Sequence, residues 1–466
     1  MKLDVGKNRF LFEEIYKLSQ ELEMEVYPVG GYVRDLYLGK EVTDIDFVVV
    51  GDGIAFAHAF SERMKAGKVV SYNRFGTAMV NYQEYKLEFV TARSEIYEPD
   101  SRKPQVEKAD LKSDLSRRDF TINTLALHIS PEKFGELIDV YQAVEAIEKR
   151  IIETPLDPVV TFADDPLRIM RAVRFATVLN FDIAPRTREA IIQTRERLSI
   201  ISQERITEEM KKMIMAPRPS LGFWLMKELG LLPIVFPEME LLGGVDQRQD
   251  YHHKDVFDHT LKVLDNVAKL TDKFELRLAA IFHDIAKPQT KRFVDEVGWT
   301  FHGHEELGAR MVGRIGRRMR LPIQTIKYVQ KLVRLHLRPM QLVEDHVTDS
   351  AIRRLMVEAG EELDDLMLLC RCDITSHNPR KIRQFLANFD RVEEKMKIVE
   401  EKDKLRTFKP AITGEQIMEA LNLTPGPLVG KIKKAVTDAV LDGDIPNEPE
   451  ACFQYMMKIK DQFLSS

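Results

Sequence analysis

Cysteine is scarce: three stand in 466 residues, and Cys370 and Cys372 are too close together, and too short of partners, to build a zinc site. A disulfide-stapled scaffold is thereby excluded, and a reducing, cytoplasmic setting is expected. Tryptophan occurs only twice. No stretch approaches the roughly 18 consecutive apolar residues of a membrane span; Phe47–Val50 is dense but only strand-length. The opening Met1-Lys2-Leu3-Asp4 lacks the apolar core of an export signal. An excess of positive charge is missing too. With 69 Lys and Arg against 74 Asp and Glu, the net charge of −5 excludes a uniformly basic nucleic-acid coat. Local basic patches remain open, and phosphate contact needs only those.

What is present describes a folded chain of about three domains: 44% hydrophobic and 31% charged residues. The first ~150 residues read as α+β. A helical stretch at Arg9–Leu22 precedes strand-like runs at Val26–Val29, Asp46–Val50, Lys68–Tyr72, Ala78–Tyr82 and Lys86–Thr91. Beyond Pro155 strands nearly vanish, and Leu167–Thr177, Thr187–Leu198, Glu204–Ile214 and Leu221–Leu229 carry helical spacing. Composition shifts after Gly243-Gly244, with nine of eleven His beyond residue 250. A further boundary is expected near His377-Asn378-Pro379, and a turn at Pro425-Gly426-Pro427.

The sharpest local signal is Gly30-Gly31-Tyr32-Val33-Arg34-Asp35 followed by Asp44-Ile45-Asp46-Phe47. The Gly pair ends a strand and opens a helix, where free N–H groups suit phosphate. Asp44 and Asp46, two apart on a strand, project from one face. Two such carboxylates repel unless a cation sits between them, as Mg²⁺ does when shared with substrate phosphates. Glu88 on a later strand is either a third carboxylate for that site or an exposed strand acid. Arg117-Arg118-Asp119-Phe120-Thr121-Ile122-Asn123 offers paired guanidiniums for a triphosphate, with Thr121 and Asn123 at hand for a sugar; a plain basic turn is the alternative. Asp164-Asp165-Pro166-Leu167-Arg168, then Arg171 and Arg174, opens a helix, with 164 and 168 expected as helix neighbours; a helix cap with an i,i+4 ion pair is one use of such residues, base recognition the other. A carboxylate accepting from an exocyclic amine and an Arg donating to a ring acceptor would admit C and A and reject U and G.

In this order the blocks resemble class II tRNA nucleotidyltransferases, the CCA-adding enzymes and bacterial poly(A) polymerases of the DNA polymerase beta superfamily. The likeness spans residues 1–250 and includes Asp139…Ile147…Arg150 and Glu204-Arg205-Ile206-x-x-Glu208. It implies a polymerase-beta-like catalytic head at 1–155 and a helical, tRNA-contacting neck with the base template at 156–250. Asp44 and Asp46 would hold catalytic Mg²⁺, and Gly30, Gly31, Arg34, Arg117, Arg118, Asp119 and Asn123 would handle the nucleotide. Asp164, Asp165, Arg168 and Arg171 would complete that set, although the family usually has Glu where Asp164 stands. The implied reaction is CCA addition to tRNA from CTP and ATP; poly(A) synthesis or partial CC or A addition is the alternative. The polar segment between Glu95 and Asp114, with Tyr97–Pro104 at its centre, reads as a loop and resembles the one that full CCA-adding members carry and CC-only members lack; an ordinary mobile loop is the alternative.

Between 251 and 376 a second constellation appears: His259, His283-Asp284, His304, His336 and Asp373. Mixed imidazole and carboxylate donors suit a divalent transition metal or Mg²⁺. The set resembles the phosphohydrolase superfamily named for its His-Asp doublet, which implies hydrolysis of a phosphomonoester or 2′,3′-cyclic phosphate. A phosphohydrolase or nucleotide-binding regulator with a head that does not polymerise is the competing class, against which the Asp44/Asp46 pair speaks. The remaining 377–466 reads as a helical tail in contact with RNA. Basic residues at Arg310, Arg314, Arg317, Arg318 and Arg320, and at Lys431, Lys433 and Lys434, suit RNA backbone contact; solvated helix faces are the alternative.

Overall fold

The computed structural model describes residues 1–96, 105–245, 255–295, 298–342, 348–375, 378–403 and 409–464. The chain forms two compact units, Met1–Pro237 and Glu238–Ser466. The expected boundaries near 250 and 376 fall on or beside residues outside the described set, as does Tyr97–Pro104. The rest of the loop expected between Glu95 and Asp114 is not loop: the strands Arg93–Ile96 and Gln105–Lys108 pair with each other, and the helix Leu111–Ser116 follows.

The first unit opens on the helix Arg9–Glu21 and then builds a mixed sheet. Its strands are β1 (Glu25–Val29), β2 (Asp44–Val50), β3 (Val70–Tyr72), β4 (Thr77–Tyr82) and β5 (Tyr85–Thr91), extended by the short strands Ala126–Leu127 and Leu137–Ile138. The spatial order is β3-β4-β5-β2-β1, then the two short strands. β2 is antiparallel to β1 and parallel to β5. Alternation along β2 explains the layering. Ile45 and Phe47 are fully buried, and Phe47 stacks on Phe89 of β5 at 5.1 Å in a core shared with Phe12, Phe56 and Phe60. Asp44 and Asp46 lie on the opposite face, and Glu88 is the register partner of Asp46. β2 and β5 thus bring three carboxylates to one side of the sheet.

Helices follow at Pro158–Asp164, Leu167–Leu179, Pro185–Thr194, Gln203–Ile214 and Ser220–Glu228. Asp157 caps the first, accepting from Val159 and Val160 N–H at 3.0 and 3.2 Å, with Pro158 in the first turn. Two expectations need correcting. The run at 187–198 is a helix only to Thr194 and continues as a 3-10 segment, Arg195–Ile200. Asp164 and Arg168 are not neighbours on one helix: Asp164 ends one helix, Asp165 is extended (φ −134°), and Arg168 belongs to the next helix. Pro166 forces that break, because its ring disfavours helical geometry in the residue before it.

In the second unit the helices Val256–Ala268, Phe274–Phe282, His304–Arg318, Ile323–Leu335 and Leu363–Asp373 bury apolar faces that include Leu264, Ile281, Ile315, Leu332 and Leu366. A hairpin of strands Arg292–Val294 and Gly298–Thr300 interrupts them, where the sequence suggested almost no strand. After Pro379–Asp403, the helices Gly414–Leu421, Pro427–Asp442 and Pro449–Ile459 share a cluster of their own around Ile417, Ile432, Val436, Cys452 and Met456. Among the described residues no helix is long and apolar enough to cross a membrane.

Candidate functional site

A cleft of about 1280 Å³ opens on the polar face of the sheet in the first unit. Asp44, Asp46 and Glu88 line one wall; Arg117, Arg118, Asp119 and Asn123 line another; Asp165, Arg168, Arg171, Arg174 and Phe175 come from the helical segment. Gly31 and Arg34 also face it, whereas Asp164 and Gly30 are not among its lining residues. Gly30 acts from behind. Its φ is +73°, and a Cβ there would meet Arg118 Nη1 at 2.6 Å, so only glycine permits both the turn and the approach of the guanidinium.

The cations are held by acids. Asp114, fully buried on the helix Leu111–Ser116, accepts from Arg117 at 2.5 Å and from Arg118 at 3.2 Å. Arg118 Nε is enclosed without a partner among the described residues, a donor left over for an anion. Asp119 Oδ2 accepts from Arg171 at 2.6 Å, and its Oδ1 accepts from Asn123 Nδ2 at 2.9 Å. Asn123 Oδ1 in turn accepts from Arg34 at 2.6 Å. Burial works against the Asp119 carboxylate, but Arg171 and Asn123 outweigh it and hold the group at about 2. Arg168 donates to the Arg117 carbonyl at 2.7 Å, and Asp165 pairs with Arg205 at 3.2 Å.

Burial pushes the Asp46 carboxyl up, with Arg118 opposing and Asp44 reinforcing the shift; burial and then Asp46 raise Glu88 likewise. Such crowding of hard oxygen donors fits a divalent cation, Mg²⁺ by donor type. The three carboxylates share the wall without converging into a single three-ligand cluster. Two supporting residues were not singled out from sequence. One is Asp114. The other is Glu209, buried and 2.5 Å from Arg174, whereas Glu208 of the sequence block is exposed. Helical phase carried that signal: 209 shares a face with the buried Ile206 and Met213.

The second unit gathers its ligand-type residues from five segments into two triplets, His259–His283–Asp373 and Asp284–His304–His336, each with ligand atoms within 4.8 Å of one another. His283, His304 and His336 each donate Nδ1–H to the carbonyl three residues earlier, at 2.7–2.8 Å. A carbonyl only accepts, so Nδ1 carries a proton in each ring and Nε2 is the atom left facing the cluster. His259 is steadied through Nδ1 by Thr375 Oγ1 at 2.9 Å. Asp284 joins the triplets: Oδ2 lies 3.2 Å from His283 Nε2, and Oδ1 lies 3.4 Å from His304 Nε2. Burial disfavours charged His283, but Asp284 and Asp373 overcome it and lift the imidazole to about 10. Burial and the repulsion of His283 push His336 down to about 4. Ligand atoms roughly 3 Å apart suit ions held at about 2.1 Å, and imidazole with carboxylate suits a divalent transition metal. Of the arginine stripe expected to face RNA, Arg318 is engaged by Glu238 at 2.6 and 2.7 Å.

A cleft with acids opposite paired arginines on a polymerase-type sheet, and a separate imidazole–carboxylate cluster in a helical unit, define a nucleotidyltransferase joined to an HD-type domain. Comparison agrees. Residues 26–153 match the poly A polymerase head domain, 180–242 the probable RNA and SrmB-binding site of polymerase A, and 256–376 the HD domain. The chain is 30% identical over 438 residues to the CC-adding tRNA nucleotidyltransferase of Thermus thermophilus, covering 92% of each. It is 29% identical to the A-adding tRNA nucleotidyltransferase of Deinococcus radiodurans, covering 91% of this chain and 93% of that one. It is 35% identical to the Multifunctional CCA protein of Nitrosococcus oceani, covering 64% and 71% respectively. The Bacillus stearothermophilus CCA-adding enzyme in complex with CTP shares the fold, with a TM-score of 0.62, 24% identity, and 98% and 99% of the two chains covered. The chain belongs to the tRNA nucleotidyltransferase family and is a nucleotidyltransferase enzyme.

Proposed function

We propose that the first unit adds C and A residues to the 3′ end of tRNA from CTP and ATP, completing CCA and releasing pyrophosphate. The observation that carries this reading is the convergence on one cleft of Asp44 and Asp46, of Arg117 and Arg118, and of Asp165 and Arg168. Arg117 and Arg118 would hold the triphosphate, braced by Asp114. Asp119 and Asn123 would position the ribose. Asp165 would accept from the exocyclic amine of C or A while Arg168 donates to the ring acceptor beside it. Mg²⁺ held by Asp44 and Asp46 would supply charge stabilisation for the attacking 3′-oxygen and the leaving pyrophosphate. Partial addition is the second reading, favoured by the CC-adding and A-adding names of the relatives covered almost end to end. Incubating the protein with tRNA ending before CCA, or after CC, with labelled CTP or ATP separates them: full addition labels the first substrate with both nucleotides.

The His/Asp cluster of the second unit fits a phosphohydrolase acting on a phosphomonoester or a 2′,3′-cyclic phosphate. The Nδ1–carbonyl bonds that orient the imidazoles and the shared Asp284 support that reading. Bound divalent ions would supply an activated water there, while the chain holds each imidazole by its far nitrogen. Release of phosphate from such esters with Mn²⁺, Ni²⁺ or Mg²⁺ tests it.

A further inference from the structure

The hairpin between the His-Asp doublet and His304 carries aromatic rings where water, not core, receives them. Phe293 and Trp299 are cross-strand partners, their rings edge to face at 5.2 Å, and they are 52% and 40% exposed. Lys291 Nζ lies 4.5 Å from the Trp299 ring centroid, and Arg292 is exposed on the same strand as Phe293. Asp295 is the acid among the described residues of this hairpin. The base of the hairpin reaches the metal-type cluster directly. Phe301 O accepts from His304 Nδ1 at 2.8 Å, and Lys287 Nζ stands 5.6 Å from the Phe301 ring and 2.6 Å from Asp284 Oδ2.

Folding gives no reason to leave two large aromatic side chains in water, since each would gain from burial. Paired aromatics flanked by cations are what unpaired nucleobases and their phosphates recognise: every base offers a π-face, and lysine or arginine meets the adjoining phosphate. We propose that this hairpin is a stacking platform for the unpaired bases at an RNA 3′ end, presenting the attached phosphate to the His/Asp cluster. The proposal rests on the reading that the cluster handles phosphate esters. Charge favours RNA over an apolar protein partner, because Lys291 lies beside the Trp299 ring and Lys287 stands between the Phe301 ring and Asp284.

Trp299 is also the reporter, because the chain has one other tryptophan, Trp224. In the full-length Trp224→Phe protein, a short single-stranded RNA with a 3′-phosphate should quench the remaining emission saturably, and ribose 5-phosphate should not. Phe293→Ala in that background should weaken the response roughly tenfold, the scale of one lost stacking contact. Trp299→Phe should keep the KM for phosphate release from that RNA, whereas Trp299→Ala should raise it with kcat for a small aryl phosphate unchanged. Quenching without any phosphate release would uphold the platform and remove the hydrolase reading. The proposal is overturned by equal quenching with ribose 5-phosphate, or by an RNA response indifferent to Phe293→Ala. It is equally overturned if Phe293→Ala with Trp299→Ala turns a dimer into a monomer in sedimentation while RNA affinity stays the same, which would make the hairpin a self-association surface.

Discussion

Arg171, on the helix that carries the proposed base-reading Arg168, donates to Asp119 Oδ2 at 2.6 Å, so the nucleotide-facing loop and the template helix are tied by one ion pair. The Asp119 carboxyl is held at about 2, below its ordinary value of 3.8. A depressed acid contributes stability above its unfolded value and loses it as pH falls through the folded one. Asp119→Asn should therefore cost about 2 kcal/mol at neutral pH, a gap that closes between about pH 4 and pH 2. Denaturant unfolding of both proteins across that range is the check; a gap independent of pH would dissociate the effect from this ionisation.

Asp46 behaves oppositely. Burial and the neighbouring Asp44 raise its carboxyl, so its charge is a burden to the metal-free fold. Asp46→Asn should abolish nucleotide addition while leaving the melting temperature in EDTA equal or higher. Asp44→Ala should abolish addition as well. Wild-type rates in either variant would dismiss the metal assignment.

For Arg168→Ala, base choice should relax more than triphosphate affinity falls. A bidentate base contact contributes roughly 1–3 kcal/mol of discrimination, so U and G incorporation should rise by about one order of magnitude or more relative to C and A. Primer extension with each nucleotide measures it. Arg118→Ala should show the converse, a raised KM for all nucleotides with little change in their ranking.

In the second unit Asp284→Ala should strip metal from both triplets, because its two oxygens serve both. His304→Ala should remove only the ion nearer His336 and leave one at His259, His283 and Asp373. Metal content of the purified proteins distinguishes one bound ion from two. Nucleotide addition should persist in both variants; its loss in a folded protein would reveal coupling between the units.

How much of this could be read beforehand depends on how local each feature is. The acids of β2 were legible because strand alternation fixes the face that residues two apart share. His283-Asp284 was legible as a doublet, but its joining of two triplets was not. That depends on helices separated by tens of residues, and no spacing rule reports such proximity. Asp164 misled because a proline two residues on broke what looked like one helix. Asp114 escaped notice because its role comes from complete burial, which a charged letter in a sequence does not announce. The Phe293–Trp299 hairpin escaped because two three-residue strands are too short to show periodicity.

Asp114 also sets when the arginines lose their freedom. A free arginine side chain samples many rotamers, and fixing it costs up to about 2 kcal/mol. With Asp114 bracing both Arg117 and Arg118 from beneath the cleft, that disorder is surrendered as the chain folds. The incoming nucleotide then meets guanidiniums that are already aligned, and the ordering cost is not charged against its binding.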